Sequence, residues 1–165
     1  MASRPRTSQR KILSAAVLAH QVRQAKAAGK TVVFTNGCFD LLHAGHVMLL
    51  ERAKRLGDVL VVAINSDASV RRLKGPRRPI VPQRDRAQLL AALASVDYVT
   101  VFNEPTPESL LRRLRPHVLV KGADWSSTKI IGRELVERDG GRVVRLPLLR
   151  GYSTSRLVER IQRNS

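Results

Sequence analysis

Apolar residues in this chain come in two alternating arrangements. Short apolar-rich runs occupy residues 32–34, 59–64, 96–102, 118–120 and 142–147, and runs of this length predict strands covered on both faces. Between them the apolar positions fall three and four apart, the spacing of one helix face, over residues 10–28, 44–56, 82–95, a stretch ending at Arg115, 131–138 and 156–161. Leu89, Leu90 and Leu93 are the expected core side of the third helix, and Tyr98 and Phe102 are core or subunit-contact aromatics. Strict alternation of the two patterns predicts an α/β fold, a three-layer sandwich around a five-stranded parallel, Rossmann-like sheet in the order 3-2-1-4-5.

Breaker residues divide the pattern. Gly29 stops the first helix, Gly57 and Asp58 turn the chain into the second strand, and Pro82 opens the helix that follows a basic, Gly/Pro-punctuated loop at residues 71–80. Residues 1–9 are polar and basic and read as a tail, leaving 10–165 as one domain. The turn Asn65-Ser66-Asp67 follows the second strand. Ligands gather outside the carboxyl ends of parallel strands, so Asp67 is a candidate site residue, and it also suits the N-cap of the helix beginning at Ala68.

Composition narrows the function. With 165 residues and 43% apolar content the chain can bury a real core, and its single cysteine, Cys38, excludes a disulfide framework. The formal charge of +17 suits an anionic partner. Aromatics are only 4% of residues, too few to supply a stacking platform for single-stranded nucleic acid. The basic N-terminal region superficially resembles a targeting peptide, but its apolar run at 12–19 is cut short by His20, Gln21 and Arg23. No stretch has the length of a membrane span, and a cytoplasmic location is expected.

The candidate chemistry lies in residues 31–56. A buried strand passes through Asn36 and Gly37 into a helix at whose mouth stand His43 and His46, with Gly45 between them. A helix starting near Ala44 places both imidazoles on one side of its first turn, beside unpaired backbone N–H groups and the positive dipole end. That is an anion site with extra donors. Cys38 fits as a small residue packed beneath it. Further along, Ser153, Thr154 and Ser155 follow Gly151 and Tyr152 just past the fifth strand, as in a second phosphate-binding helix start.

The string Cys38-Phe39-Asp40-Leu41-Leu42-His43-Ala44-Gly45-His46 resembles the HxGH signature of the cytidylyltransferase-like nucleotidyltransferases. Residues 34–40 are similar to the heptose 1-phosphate adenylyltransferase branch. Lys121-Gly122-Ala123-Asp124-Trp125 resembles the KGxD element of that branch and the GxDW of glycerol-phosphate cytidylyltransferases, and 151–155 is similar to the family's GxSTT element. One departure is Leu148, where several cytidylyltransferases carry arginine; Arg150 is a candidate substitute.

The resemblance implies a sheet of the HUP nucleotidyltransferase type and transfer of AMP from ATP to D-glycero-D-manno-heptose 1-phosphate, with Mg²⁺ on the triphosphate, touching Asp40 if it touches the protein. It implies catalytic roles for His43, His46 and Lys74. Asn36, Gly37, Cys38, Phe39, Gly45, Lys121, Gly122, Asp124, Gly151, Tyr152, Ser153, Thr154 and Ser155 would line the nucleotide, and Asp40, Asp67, Arg86 and Trp125 the acceptor. It also implies a homodimer and a separate upstream sugar kinase. The alternatives are a CTP-dependent glycerol 3-phosphate cytidylyltransferase and a basic nucleic-acid-binding protein on the same scaffold.

Overall fold

The computed structural model describes residues 7–123, 130–149 and 151–164. Its strands are β1 (Val32–Gly37), β2 (Val59–Asn65), β3 (Tyr98–Phe102), β4 (Val118–Gly122) and β5 (Arg142–Leu146). All pair in parallel, in the order β3-β2-β1-β4-β5 expected from the sequence. The helices are α1 (Ser8–Lys11), α2 (Ala15–Ala27), α3 (Ala44–Lys54), α4 (Asp67–Lys74), α5 (Gln83–Ala92), α6 (Glu108–Leu114), α7 (Arg133–Arg138) and α8 (Thr154–Arg163).

The central strands are buried on both sides, β2 along its whole length, which is why they read as apolar without alternation. One face packs Phe34, Val61 and Leu119 under Leu18 and Val22 of α2, Leu110, Leu111 and Leu114 of α6, and Val136 of α7. The other packs Val33, Leu60, Val62 and Val120 under Leu50 and Ala53 of α3 and Ala87, Leu90 and Ala91 of α5. So α3 leaves β1 toward one face while α7 follows β4 on the other, and the crevice at the carboxyl ends of these adjacent strands is where such a sheet binds ligands.

Four expectations are corrected. The helix expected over 10–28 is two. The tail gives up Ser8 and Gln9 to α1, and the chain then extends, with Ile12 bridged in parallel to Val99 and Leu13 N donating to Val99 O at 2.9 Å. Ser14 restarts the helix, its Oγ accepting from Val17 N. Pairing along the β3 edge competes with helical continuation here, and Lys11 Nζ secures it by donating to Leu93 O and Val96 O at 3.1 and 2.8 Å. Second, the basic segment 71–80 is not all loop: α4 runs through Lys74 and ends at Gly75, whose φ of 98° suits glycine. Third, Leu89 is 47% exposed, because the buried stripe of α5 runs through Arg86, Ala87, Leu90 and Ala91. Finally, β3 starts at Tyr98 rather than Val96, and the half-buried Asp97 before it accepts from Leu60 N at 2.7 Å and Lys54 Nζ at 2.6 Å.

Candidate active site

Asn36 and Gly37 close β1. A Cβ on Gly37 would meet the Phe39 ring at 3.1 Å, so the glycine lets that ring fold back over the strand end. Phe39 has φ 46° and is buried, its ring centroid 5.0 Å from that of His46. His43 is the N-cap of α3 in extended conformation, and its carbonyl accepts from His46 N at 2.9 Å. Its side chain makes no cap bond. The imidazole is therefore available, and it stacks on His46 with centroids 3.8 Å apart and planes at 18°.

Both Nδ1 atoms are buried and have no hydrogen-bond partner among the described residues. Burial lowers the pKa of both rings, that of His46 to about 4, with the His43 charge contributing in second place. Two neutral imidazoles can stack; two imidazolium ions would repel. At pH 7 each ring carries one donor and one acceptor nitrogen.

Gly45 connects this pair to the far end of the chain. A Cβ there would lie 3.0 Å from His43 Nδ1 and 3.2 Å from Tyr152 Cβ. The start of α8 thus packs against the start of α3, with Tyr152 and His43 ring centroids 6.3 Å apart. Gly151 has φ 87°, Ser153 is the N-cap of α8 with its Oγ accepting from Arg156 N at 3.2 Å, and Thr154 is the first helical residue. Capping accounts for the Ser153 hydroxyl, and Ser155 is exposed. Two helix N-termini and two imidazoles converge on one place. On the other flank, Lys121 Nζ donates to Asn36 Oδ1, tying the ends of β4 and β1, and Gly122 ends β4. Asp124, Trp125 and Arg150 lie outside the described residues.

Residues 34–160 match the cytidylyltransferase-like family. The chain belongs to that family. It is 58% identical over 133 residues to the bifunctional protein HldE of Syntrophotalea carbinolica, covering 81% of this chain and 27% of that protein. It is 53% identical over 154 residues to the bifunctional protein HldE of Pelobacter propionicus, covering 93% and 32%. The chain spans about a third of the length of the curated relatives it matches. Among solved structures, it is 28% identical to a lipopolysaccharide core biosynthesis protein from Thermoplasma volcanium GSS1, with a TM-score of 0.61 over 76% of this chain and 100% of that one.

In this cytidylyltransferase-like protein other site candidates are engaged by neighbouring parts of the chain. Asp40 is buried; its Oδ1 accepts from Ile80 N and Val81 N at 2.8 and 2.9 Å, and its Oδ2 lies 2.6 Å from Arg78 Nε. Arg86 is fully buried and donates to Val81 O, Cys38 O and Asp67 Oδ1 at 2.9, 2.6 and 2.7 Å. Asp67 also accepts from Gln83 N at 2.8 Å, while its own N–H donates to Gln83 Oε1. Ser66, rather than Asp67, caps α4, accepting from Ser69 N. Asp40 and Arg86 bind protein, not open space; Asp67 spends Oδ1 on protein, and its side chain is 26% exposed. Arg78 and Gln83, their partners, are what sequence reasoning missed; both contacts are long-range and leave no local pattern.

Cys38 Sγ is 3.8 Å from Asn65 Oδ1, and burial pushes its thiol pKa up despite the opposing charge of Lys74. It stays a protonated packing residue. Lys74 ends α4 exposed, near enough for its charge to reach Cys38. As a magnesium ligand Asp40 does not fit, since its oxygens are already engaged, and no group of three or more His, Cys, Asp or Glu suited to a metal occurs among the described residues. No helix of the described residues is long and apolar enough to cross a membrane.

Proposed function

We propose that this protein transfers AMP from ATP to the phosphate of a sugar 1-phosphate, D-glycero-D-manno-heptose 1-phosphate, releasing pyrophosphate and forming the ADP-sugar. The observation that carries this reading is the stacked pair His43 and His46, with two enclosed, unpartnered nitrogens at the meeting of two helix N-termini. The choice of heptose phosphate rests on the sequence at 34–40 and 121–125, which resembles the heptose branch, and is supported by the HldE relatives.

An acceptor phosphate is already an anion, so no general base is needed. Its oxygen forms a bond to the α-phosphorus as the bond from that phosphorus to the β-bridging oxygen breaks, and the electron pair leaves with pyrophosphate. What the protein supplies is alignment and charge neutralisation between approaching anions. Neutral His43 and His46 donate hydrogen bonds to the α-phosphate and the departing oxygen. The backbone N–H groups at the start of α8, with the Thr154 hydroxyl, hold the β and γ groups. Lys74 adds charge from the open side. Direct displacement inverts configuration at phosphorus. Mg²⁺ would arrive with ATP, held by phosphate oxygens and water, as its reluctance to dehydrate favours. The acceptor would come from a sugar kinase, with the enzyme working in the cytoplasm as a homodimer.

The test is pyrophosphate release with ATP or CTP across a panel of sugar and polyol phosphates. ATP with heptose 1-phosphate is expected to give the highest kcat/KM. Preferential use of CTP with glycerol 3-phosphate would overturn the assignment, and salt-sensitive nucleic-acid binding with no pyrophosphate release would remove the enzyme reading altogether.

A further inference from the structure

Residues 75–81 cross the molecule as a strap between α4 and α5, and they carry Arg77 and Arg78 past the loop that leads to the histidines. A strap this basic, beside Lys74 at the end of α4, is self-repelling and has little apolar anchorage: Ile80 is 49% exposed. Its main tie is one carboxylate. Asp40 has a side chain only 1% exposed; it accepts hydrogen bonds from the N–H groups of Ile80 and Val81 and forms an ion pair, without an aligned hydrogen bond, with the Arg78 guanidinium. Arg86 fastens the same strap from below by donating to Val81 O, and with another nitrogen it fixes Cys38 O, two residues before Asp40.

We propose that Asp40 is a positioning residue: it latches the strap through Arg78, Ile80 and Val81, so that the strap's cations flank the triphosphate, and it does not itself touch the sugar phosphate. This rests on reading the site as one for nucleotidyl transfer, and it replaces the acceptor contact that sequence alone suggests for Asp40. A carboxylate inserted among donors of its own chain is stable where it is. Redirecting it to an anionic acceptor would leave two backbone donors unpaired and the Arg78 charge uncompensated, and would bring two negative charges together.

Asp40→Asn tests the latch with almost no change in volume. The amide oxygen can still serve Ile80 and Val81, but the NH₂ group would face Arg78 donor to donor. Trypsin cuts after Arg77 and spares the Arg78–Pro79 bond, so the rate of that single cut reports opening of the strap. Asp40→Asn removes the charge that the Arg78 guanidinium faces and should speed it about tenfold, with the melting transition retained. In turnover, the KM for ATP should rise about tenfold while that for the sugar phosphate stays within about twofold. Arg78→Ala should reproduce the ATP effect, and the double variant should be no worse than either alone.

An unchanged cut rate in Asp40→Asn overturns the latch. So does a rise confined to the sugar-phosphate KM, which is the signature of direct acceptor contact, or multiplicative losses in the double variant. Absence of pyrophosphate release by the unmodified protein would refute the reaction but leave the cut rate as a measure of the strap.

Discussion

Gly45→Ala sets two effects of known size against each other at one atom. The residue lies in the first turn of α3 with no positive φ, so helix propensity alone favours alanine by about 1 kcal/mol. Against this, the new Cβ would sit 3.0 Å from His43 Nδ1, 3.1 Å from its Cε1 and 3.2 Å from Tyr152 Cβ. Each contact is a few tenths of an ångström too short, so both neighbours must give. The His43 ring is stacked on His46, and Tyr152 Cβ is fixed to the backbone leading into α8. The two effects roughly cancel in stability but not in alignment: a displacement of 1 Å in a catalytic group costs on the order of 10²-fold, and a third of that roughly fivefold. Gly45→Ala should therefore melt within a few degrees of the unmodified protein yet lose about fivefold or more in kcat, read by pyrophosphate release at saturating ATP. A kcat within about twofold of the parent would show that contact between α3 and α8 does not align the histidines, and the site as described would fail.

Other outcomes follow from the same geometry. His46→Ala should lower kcat by about 10²-fold, the scale of one transition-state donor, and pre-steady-state mixing with ATP should place the loss in the chemical step. Because burial lowers the His46 pKa from 6.5 to about 4, the unfolded chain binds a proton in that window that the folded one refuses; stability is full above pH 6.5 and declines toward pH 4. His46→Asn should flatten that part of the melting profile, and an unaltered slope would contradict the buried neutral ring. Gly132→Ala places a Cβ 2.1 Å from Leu111 Cδ1 at a φ of 88°, and should cost about 2–4 kcal/mol in urea denaturation, with active-site kinetics little changed in the folded fraction.

How far the molecule could be read in advance depended on whether the information was local. Runs such as Val59 to Ile64 have no polar side because β2 is covered on both faces, and that burial is written directly into residue type. The HxGH turn was equally legible, since a glycine between two histidines at a helix start has few other uses. Pairing across the chain was not. Ile12 and Leu13 look helical until Val99 offers them a strand edge, and Leu89 looks buried until the stripe through Arg86 and Leu90 fixes the rotation of α5. Asp40 and Arg86 mark the sharpest limit. As residue types beside a phosphate loop they suggest ligand contacts, and only the positions of Val81, Cys38 and Arg78 show them turned inward.

Phe39 adds a consequence of its own. A bulky side chain at φ 46° is a backbone state that a free peptide avoids, at a cost of about 1–3 kcal/mol, yet here it brings the ring against His46 before any ligand arrives. That cost is met by folding, which holds the turn ahead of the two histidines in place. In the proposed reaction, a substitution that relieves the strain at Phe39 would gain stability while freeing the ring that packs on His46.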